Sequence, residues 1–208
     1  MTLNRDWIIQ RLNLSAGFAE RGDHDLNPDH IRPDRPLRPA AVLVGLIDRA
    51  DGLTVLLTKR TDHLEHHPGQ VSFPGGHIED DDHDAVYAAL RETEEEVGVS
   101  PERVEVIGRL DTYITGTGFE VTPVVGLITP PFDLNPDPHE VAEVFEVPLD
   151  FLLDPTNHQR HSRVFSGRTR HYYAMPYADY FIWGATAGML MDLYQTLTDR
   201  TPRPVVPA

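Results

Sequence analysis

No cysteine occurs among the 208 residues, which excludes disulfides, thiolate metal ligation and a cysteine nucleophile together. Long apolar runs are missing as well. The most hydrophobic stretch, Ala40 to Ile47, is far too short to cross a bilayer. The opening MTLNRDWIIQRL interrupts its apolar residues with Asn, Arg, Asp and Gln, so it lacks the apolar stretch of a signal peptide. The closing VVPA is no peroxisomal address. Positive charge is scarce: 18 Lys and Arg stand against 33 Asp and Glu, a formal net charge of −15. Such a balance repels nucleic acid and anionic membranes and directs attention to small ligands. An acidic protein that takes an anionic ligand needs metal cations or a local basic patch to neutralise it. No internal repeat is present. These absences make a cytoplasmic protein with no nucleic-acid or membrane partner the expectation, and they leave oligomeric state open.

The residues that are present, 40% hydrophobic and 25% charged, suit one globular domain with a short appendage. The Trp, Ile and Leu spacing of the first twelve residues predicts an amphipathic helix. Residues 21 to 39, rich in Asp, His and Pro, predict an extended connector. The expected division is 1–38 for helix and connector, 39–200 for the main domain and 201–208 for a tail. AAVLVGLI and LTVLLTKR, separated by Asp51-Gly52, predict a hairpin, and a loop is expected from 61 to 82. DAVYAALRETEEEV, residues 84 to 97, predicts a helix stopped by Gly98. Further strands are expected at 104–113, 120–129 and 141–147 and twice between 163 and 182, with a last helix from Gly184 to Thr198. Strands in hairpin-like pairs, rather than in strict alternation with helices, predict a mixed sheet packed between helices in an α/β fold.

Chemistry concentrates on the central helix. Glu92, Glu95 and Glu96 stand at i, i+3 and i+4, so their carboxylates leave from one face, while Glu94 points elsewhere. Like charges so close repel one another and call for a cation, and hard oxygen ligands select magnesium, manganese or calcium. A glutamate cluster by itself reads as a solvated acidic face; its context decides otherwise. Phe73-Pro74-Gly75-Gly76 precedes it, then Glu79-Asp80-Asp81-Asp82, then Arg91-Glu92, Glu95-Glu96 and Gly98. This resembles the Nudix box, G-x5-E-x7-R-E-U-x-E-E-x-G-U with U aliphatic. Gly76 to Arg91 is one residue longer than the usual box, Asp82 or His83 stands where its first Glu would fall, and Thr93 replaces the aliphatic residue. The resemblance implies a Nudix-type α/β/α sandwich with a mixed β-sheet and, here, an N-terminal helical extension. It also implies a pyrophosphohydrolase in which Glu92, Glu95 and Glu96 hold magnesium, with manganese as an alternative.

Leu56-Leu57-Thr58-Lys59-Arg60, Gly69 and Phe73-Pro74-Gly75-Gly76 resemble the signature that precedes the box in coenzyme A pyrophosphatases, LLTxR-[SA]-x3-R-x3-G-x3-FPGG. Thr61 replaces its small residue and Glu65 occupies its second arginine position. The resemblance continues in FEVTPVVG, VFEVPL and IWGATA, so that it covers residues 40 to 197. It implies hydrolysis of coenzyme A to adenosine 3′,5′-bisphosphate and 4′-phosphopantetheine. Other nucleoside diphosphate derivatives such as NADH or ADP-ribose are the nearer alternative, and a non-catalytic nucleotide-binding module is the distant one. Because Glu65 cannot pair with a 3′-phosphate, another base must, and Arg60 and Lys59 are the expected substrate-binding cations. Arg163, Arg168 and Arg170, alternating on a later strand pair, are the reserve. Gly75 and Gly76 are expected to let the backbone approach metal and phosphates, and Arg91 to orient Glu95. The base that activates water is one of the helix glutamates or Glu140. His63, His66, His67, His77 and His83 lie in a loop without a regular ligand pair and read as solvated, with His66 or His67 near the cleft.

Overall fold

A computed structural model describes residues 4–14, 19–28, 36–64, 67–165 and 167–198. Glu65, His66 and the tail 201–208 lie outside these residues. At the centre is β2 (Arg38–Arg49), whose run AAVLVGLI is apolar on both sides of the pleat, as a strand covered on both faces requires. Its odd residues Ala41, Leu43 and Ile47 join one buried cluster, and its even residues Ala40, Val44 and Leu46 join the other. The hairpin partner β3 (Gly52–Arg60) divides in the same way, Leu56 entering the first cluster and Val55 and Leu57 the second. Gly52, at φ 123°, makes the turn between the two strands.

The main sheet is mixed. Strand β1 (Glu20–Gly22) pairs in parallel with β7 (Thr112–Ile114), and β2 pairs in parallel with β8 (Phe119–Ile128). The other pairings are antiparallel: β2 with β3 and with β5 (Gly75–His77), β3 with β4 (Val71–Ser72) and with β9 (Val141–Pro148), and β8 with β6 (Val104–Arg109) and β7. The start of the Pro-rich segment therefore supplies an edge strand. The strand expected over 104–113 is two, broken where the Asp111 N–H donates to Asp192 Oδ2 at 2.9 Å. Helix α2 (Ala85–Val97) covers the first cluster with Ala88, Ala89 and Val97; alanines at the contact let it lie close to β2. The second cluster is covered by α1 (Arg5–Leu14), through Ile8 and Leu12, and by α4 (Ala185–Thr198). A smaller antiparallel sheet of β10 (Gln159–Phe165), β11 (Arg168–Tyr177) and β12 (Tyr180–Trp183) packs on that side. A one-turn helix, α3 (Leu149–Leu153), follows β9. The α/β class with a mixed sheet between helices, expected from the sequence, is the fold observed.

One edge of β2 is shared. Strand β3 pairs with its Leu46–Arg49 end and β5 with Ala40–Val42, while the Leu43 N–H between them donates to the Pro74 carbonyl at 2.9 Å. The segment 73–77 thus fills the gap where β3 leaves β2, and the carboxylates gather there.

Candidate active site

Helix α2 is fixed at both ends. The Asp84 side chain caps it by accepting from the Tyr87 N–H at 2.8 Å, and Gly98, at φ 80°, closes it with an N–H bonded to the Glu94 carbonyl. Thr93, the polar residue in the aliphatic position of the box, is fully buried. Its hydroxyl donates to the Ala89 carbonyl at 2.6 Å, so the substitution leaves no orphaned donor.

The three glutamates share a face but not an environment. Glu96 is 6% exposed and its Oε2 accepts from the Gly75 N–H at 3.2 Å. Arg60, at the end of β3, places Nη1 3.9 Å from Glu96 Oε1 and Nη2 3.9 Å from Glu140 Oε2. Glu140 is carried there by its own backbone: its carbonyl accepts from the Thr61 N–H at 2.9 Å, and the Thr61 hydroxyl donates to the His139 carbonyl at 2.9 Å. The Glu96 carboxyl is pushed up to about 8, by burial first and then by Glu140 and Glu92, against the Gly75 N–H and Arg60. Glu92 is also raised, by burial first and by Glu95 and Glu140, against Arg91. The Glu92 carboxylate lies on the backbone of Gly76, where a Cβ would come within 2.6 Å of both its oxygens. Gly75, at φ 150°, presses on β2, where a Cβ would run into the Ala41 carbonyl. The two glycines thus do different work: one seats the turn on the sheet, the other leaves room for a carboxylate.

Arg91 organises the outer rim. It donates to Glu95 Oε2 at 3.0 Å, approaches Glu92 Oε1 at 3.0 Å and donates to the His77 carbonyl at 3.2 Å. Its strongest partner is Asp82, held by two bonds of 3.0 Å, with a side chain 2% exposed. The Arg91 guanidinium holds the Asp82 carboxyl below the usual carboxylate range. Asp82 also accepts from the Glu79 N–H at 2.8 Å, so it fastens the long loop to the helix. In the sequence Asp82 stands where the box has its first Glu, and nothing marks it out within the acidic run Glu79-Asp80-Asp81-Asp82 except its place nine positions before the arginine. Thr61, tying Glu140 to the end of β3, was likewise passed over as a replaced small residue.

The donors suit a hard divalent cation. All are carboxylate oxygens, and Glu140 raises the proton affinity of both Glu92 and Glu96 while Glu92 raises that of Glu96, a conflict that bound positive charge relieves. The side chains as placed are not a ready cage, since no three acidic or histidine residues among those described are close enough to enclose an ion. Glu95, 60% exposed, is turned outward onto Arg91. Lys59 is separated from Arg60 by a register shift and stands opposite Glu143 in β9. Arg163, Arg168 and Arg170 lie in the smaller sheet. His77 packs on Phe119 and His83 on Tyr87, with ring centroids at 5.0 and 5.2 Å, and His67 Nδ1 bonds Gln70 at 2.9 Å. A cavity of about 360 Å³ lies elsewhere, between β1, β7, β11 and α4, and is lined by Arg21, Tyr113, Tyr173 and Met191 but by none of the glutamates. The carboxylates rather than this cavity are the candidate site, because converging charge rather than enclosed volume is what phosphate chemistry needs.

The NUDIX domain model matches residues 36–166, and the chain belongs to the Nudix hydrolase family. An uncharacterized Nudix hydrolase NudL of Enterobacter sp. (strain 638) is 42% identical over 168 residues, covering 81% of this chain and 87% of its own. NudL of Escherichia coli O139:H28 is 42% identical over 193 residues, 92% of this chain and 94% of its own. Among solved structures, a NUDIX hydrolase from Alicyclobacillus acidocaldarius aligns with 82% of this chain and 100% of its own at a TM-score of 0.47 and 18% identity. The family assignment rests on the sequence matches. As a Nudix hydrolase the chain acts on a nucleoside diphosphate derivative, and such enzymes generally use divalent metal ions. No helix among the described residues is long and apolar enough to cross a membrane.

Proposed function

We propose that the protein hydrolyses the pyrophosphate linkage of coenzyme A, releasing adenosine 3′,5′-bisphosphate and 4′-phosphopantetheine, with magnesium as its metal. The observation that carries this reading is that two separate parts of the LLTKR…FPGG segment meet on one carboxylate. Arg60 and the Gly75 N–H both address Glu96, so the segment that resembles the coenzyme A signature belongs to the same site as the box. Glu92, Glu95 and Glu96 would hold the cation, which neutralises charge on the diphosphate and acidifies an attacking water when bound. Arg91 steadies Glu95 and Glu92 and is itself held by Asp82. Gly75 and Gly76 leave the turn bare of side chains where the diphosphate approaches. Glu140, 49% exposed and across Arg60 from Glu96, is the carboxylate offered to the water proton. Arg60, among these acids, serves the diphosphate end of the substrate.

A second reading, cleavage of NADH or ADP-ribose, is favoured by Glu65 where the coenzyme A signature has arginine. Incubating the protein with magnesium and each of coenzyme A, NADH and ADP-ribose, followed by mass spectrometry, separates the two. Phosphopantetheine should appear, with a kcat/KM above that for the other substrates, and Glu96→Gln should lose most of the turnover at matched magnesium. AMP from NADH with no phosphopantetheine would replace the first reading by the second.

A further inference from the structure

One aromatic ring gathers two polar side chains beside the carboxylates without burying them. Arg38 opens β2 and stands opposite Phe119, the first residue of β8, and its guanidinium lies over the Phe119 ring, 3.9 Å from the centroid. His77, the last residue of β5, tilts against the same ring with centroids 5.0 Å apart. Alternation along β2 puts Arg38 on the face of Ala40, and Ala40 is the partner of His77, so all three side chains leave from the face that α2 does not cover. Phe119 packs against the second cluster, whereas Arg38 and His77 are exposed. The backbone fixes the group. The Arg38 N–H donates to the Gly118 carbonyl at 3.0 Å and the Ile78 N–H to the Pro39 carbonyl at 3.1 Å. Phe119 is tied to Thr115 twice, its N–H donating to the hydroxyl at 3.0 Å and its carbonyl accepting from the Thr115 N–H at 2.9 Å.

Two features set this group apart from an ordinary solvated surface. In a chain with 33 acidic residues, Arg38 makes no ion pair among the described residues; one side of its guanidinium rests on a ring and the other faces solvent. A planar cation held in this way is a stacking surface for a nucleobase. The second feature is position. His77 follows Gly76, on whose backbone the Glu92 carboxylate lies, and the His77 carbonyl accepts from Arg91 at 3.2 Å. Among the described residues β5 pairs with β2 alone, so its other edge borders the gap, where the Gly75 N–H reaches Glu96. The carboxylates come to that edge from the α2 face, and the His77 side chain leaves on the opposite face. A diphosphate lying at the edge therefore directs its nucleoside past His77 towards Arg38. Arg38 is three residues along β2 from Ala41, the partner of Gly76, roughly 10 Å at about 3.3 Å per residue, a span that a ribose and a purine base bridge together.

Resting on the reading above, in which the carboxylates cut a diphosphate joined to adenosine, we propose that the purine base of the substrate stacks on the Arg38 guanidinium, with Phe119 as its support and His77 beside the ribose. AMP and ribose 5-phosphate differ only in the base, and neither has a diphosphate to cut. Each is titrated with magnesium into the full-length wild-type protein and into Arg38→Ala and Arg38→Lys, followed by amide shifts in two-dimensional NMR, with melting curves to verify the fold. AMP should bind wild type at least about fivefold more tightly than ribose 5-phosphate, the low end of what one stacked base contributes. Arg38→Ala should weaken AMP about fivefold or more and ribose 5-phosphate less than about twofold. Arg38→Lys keeps the charge but loses the plane, and should behave like the alanine variant. In turnover, KM for coenzyme A should rise by a similar factor in both variants while kcat stays within about twofold. Equal weakening of both ligands, or full rescue by lysine, would show that Arg38 holds a phosphate and overturns the inference; so does equal affinity of wild type for the two ligands, or no binding of AMP. Cleavage of coenzyme A with KM unmoved in Arg38→Ala keeps the function and removes the base site. An Arg38-dependent preference for AMP in a protein that does not cleave coenzyme A keeps the base site and removes the function.

Discussion

A carboxyl group that is 6% exposed and pushed up to about 8 makes folding depend on pH. In the unfolded chain Glu96 loses its proton near the ordinary value of 4.5. Between 4.5 and 8 the folded state holds a proton that the unfolded state has released, so in the absence of metal this group costs stability increasingly as pH rises through that window. Glutamine keeps an oxygen for the Gly75 N–H and carries no charge. In EDTA, Glu96→Gln should therefore melt higher than wild type at pH 8, with the gap closing towards pH 4.5, and magnesium should raise the wild-type melting point alone. A gap independent of pH, or one of opposite sign, would show that Glu96 is not the strained anion. The same residue explains what was legible: its spacing from Glu92 and Glu95 marked the helix face directly. Glu140 was legible only as an acid near a strand, because its approach to Arg60 depends on a register shift between Lys59 and Arg60 in the β3–β9 pair, which no local pattern encodes.

At the scale of elements, the turn 73–77 offers two substitutions that differ by one position and should fail differently. Gly75→Ala must leave φ 150° and would drive a Cβ into the Ala41 carbonyl of β2, a backbone atom that cannot yield. A loss of stability of about 2 kcal/mol or more is expected. Gly76→Ala meets the Glu92 carboxylate first, the free end of a flexible side chain. It should fold nearly as well as wild type but lose most of its hydrolysis and weaken magnesium binding. Melting curves and turnover measured on both variants check this, and equal stabilities would contradict it. Helix α2 was readable at both ends because Asp84 and Gly98 are strong local signals. The loop before it was not: its extra residue hid Asp82, whose role appears only when the chain folds back to give Arg91 two bonds. Strand β1 was equally hidden, since three residues in an Asp- and Pro-rich segment become a strand only by pairing with β7.

Across the whole molecule, the sheet is divided by a long-range seam. Strand β2 carries apolar residues on both faces and pairs over Arg38–Ile47 with Phe119–Ile128 of β8 in parallel, so everything from β3 through α2 to β7 lies inside the loop that this pairing closes. Closing a large loop must precede the contacts that reward it, and parallel pairing between distant segments is slow. Refolding should accordingly be limited by the meeting of β2 and β8. Val124→Ala, at a fully buried position of β8, should slow folding in stopped-flow fluorescence more than it speeds unfolding. During synthesis the consequence is a waiting period: β2 emerges with two greasy faces and one edge unclaimed long before β8 is made. Helix α2 is translated inside that interval, so a nascent chain has Glu92, Glu95 and Glu96 in place before it has the completed sheet on which to hold them.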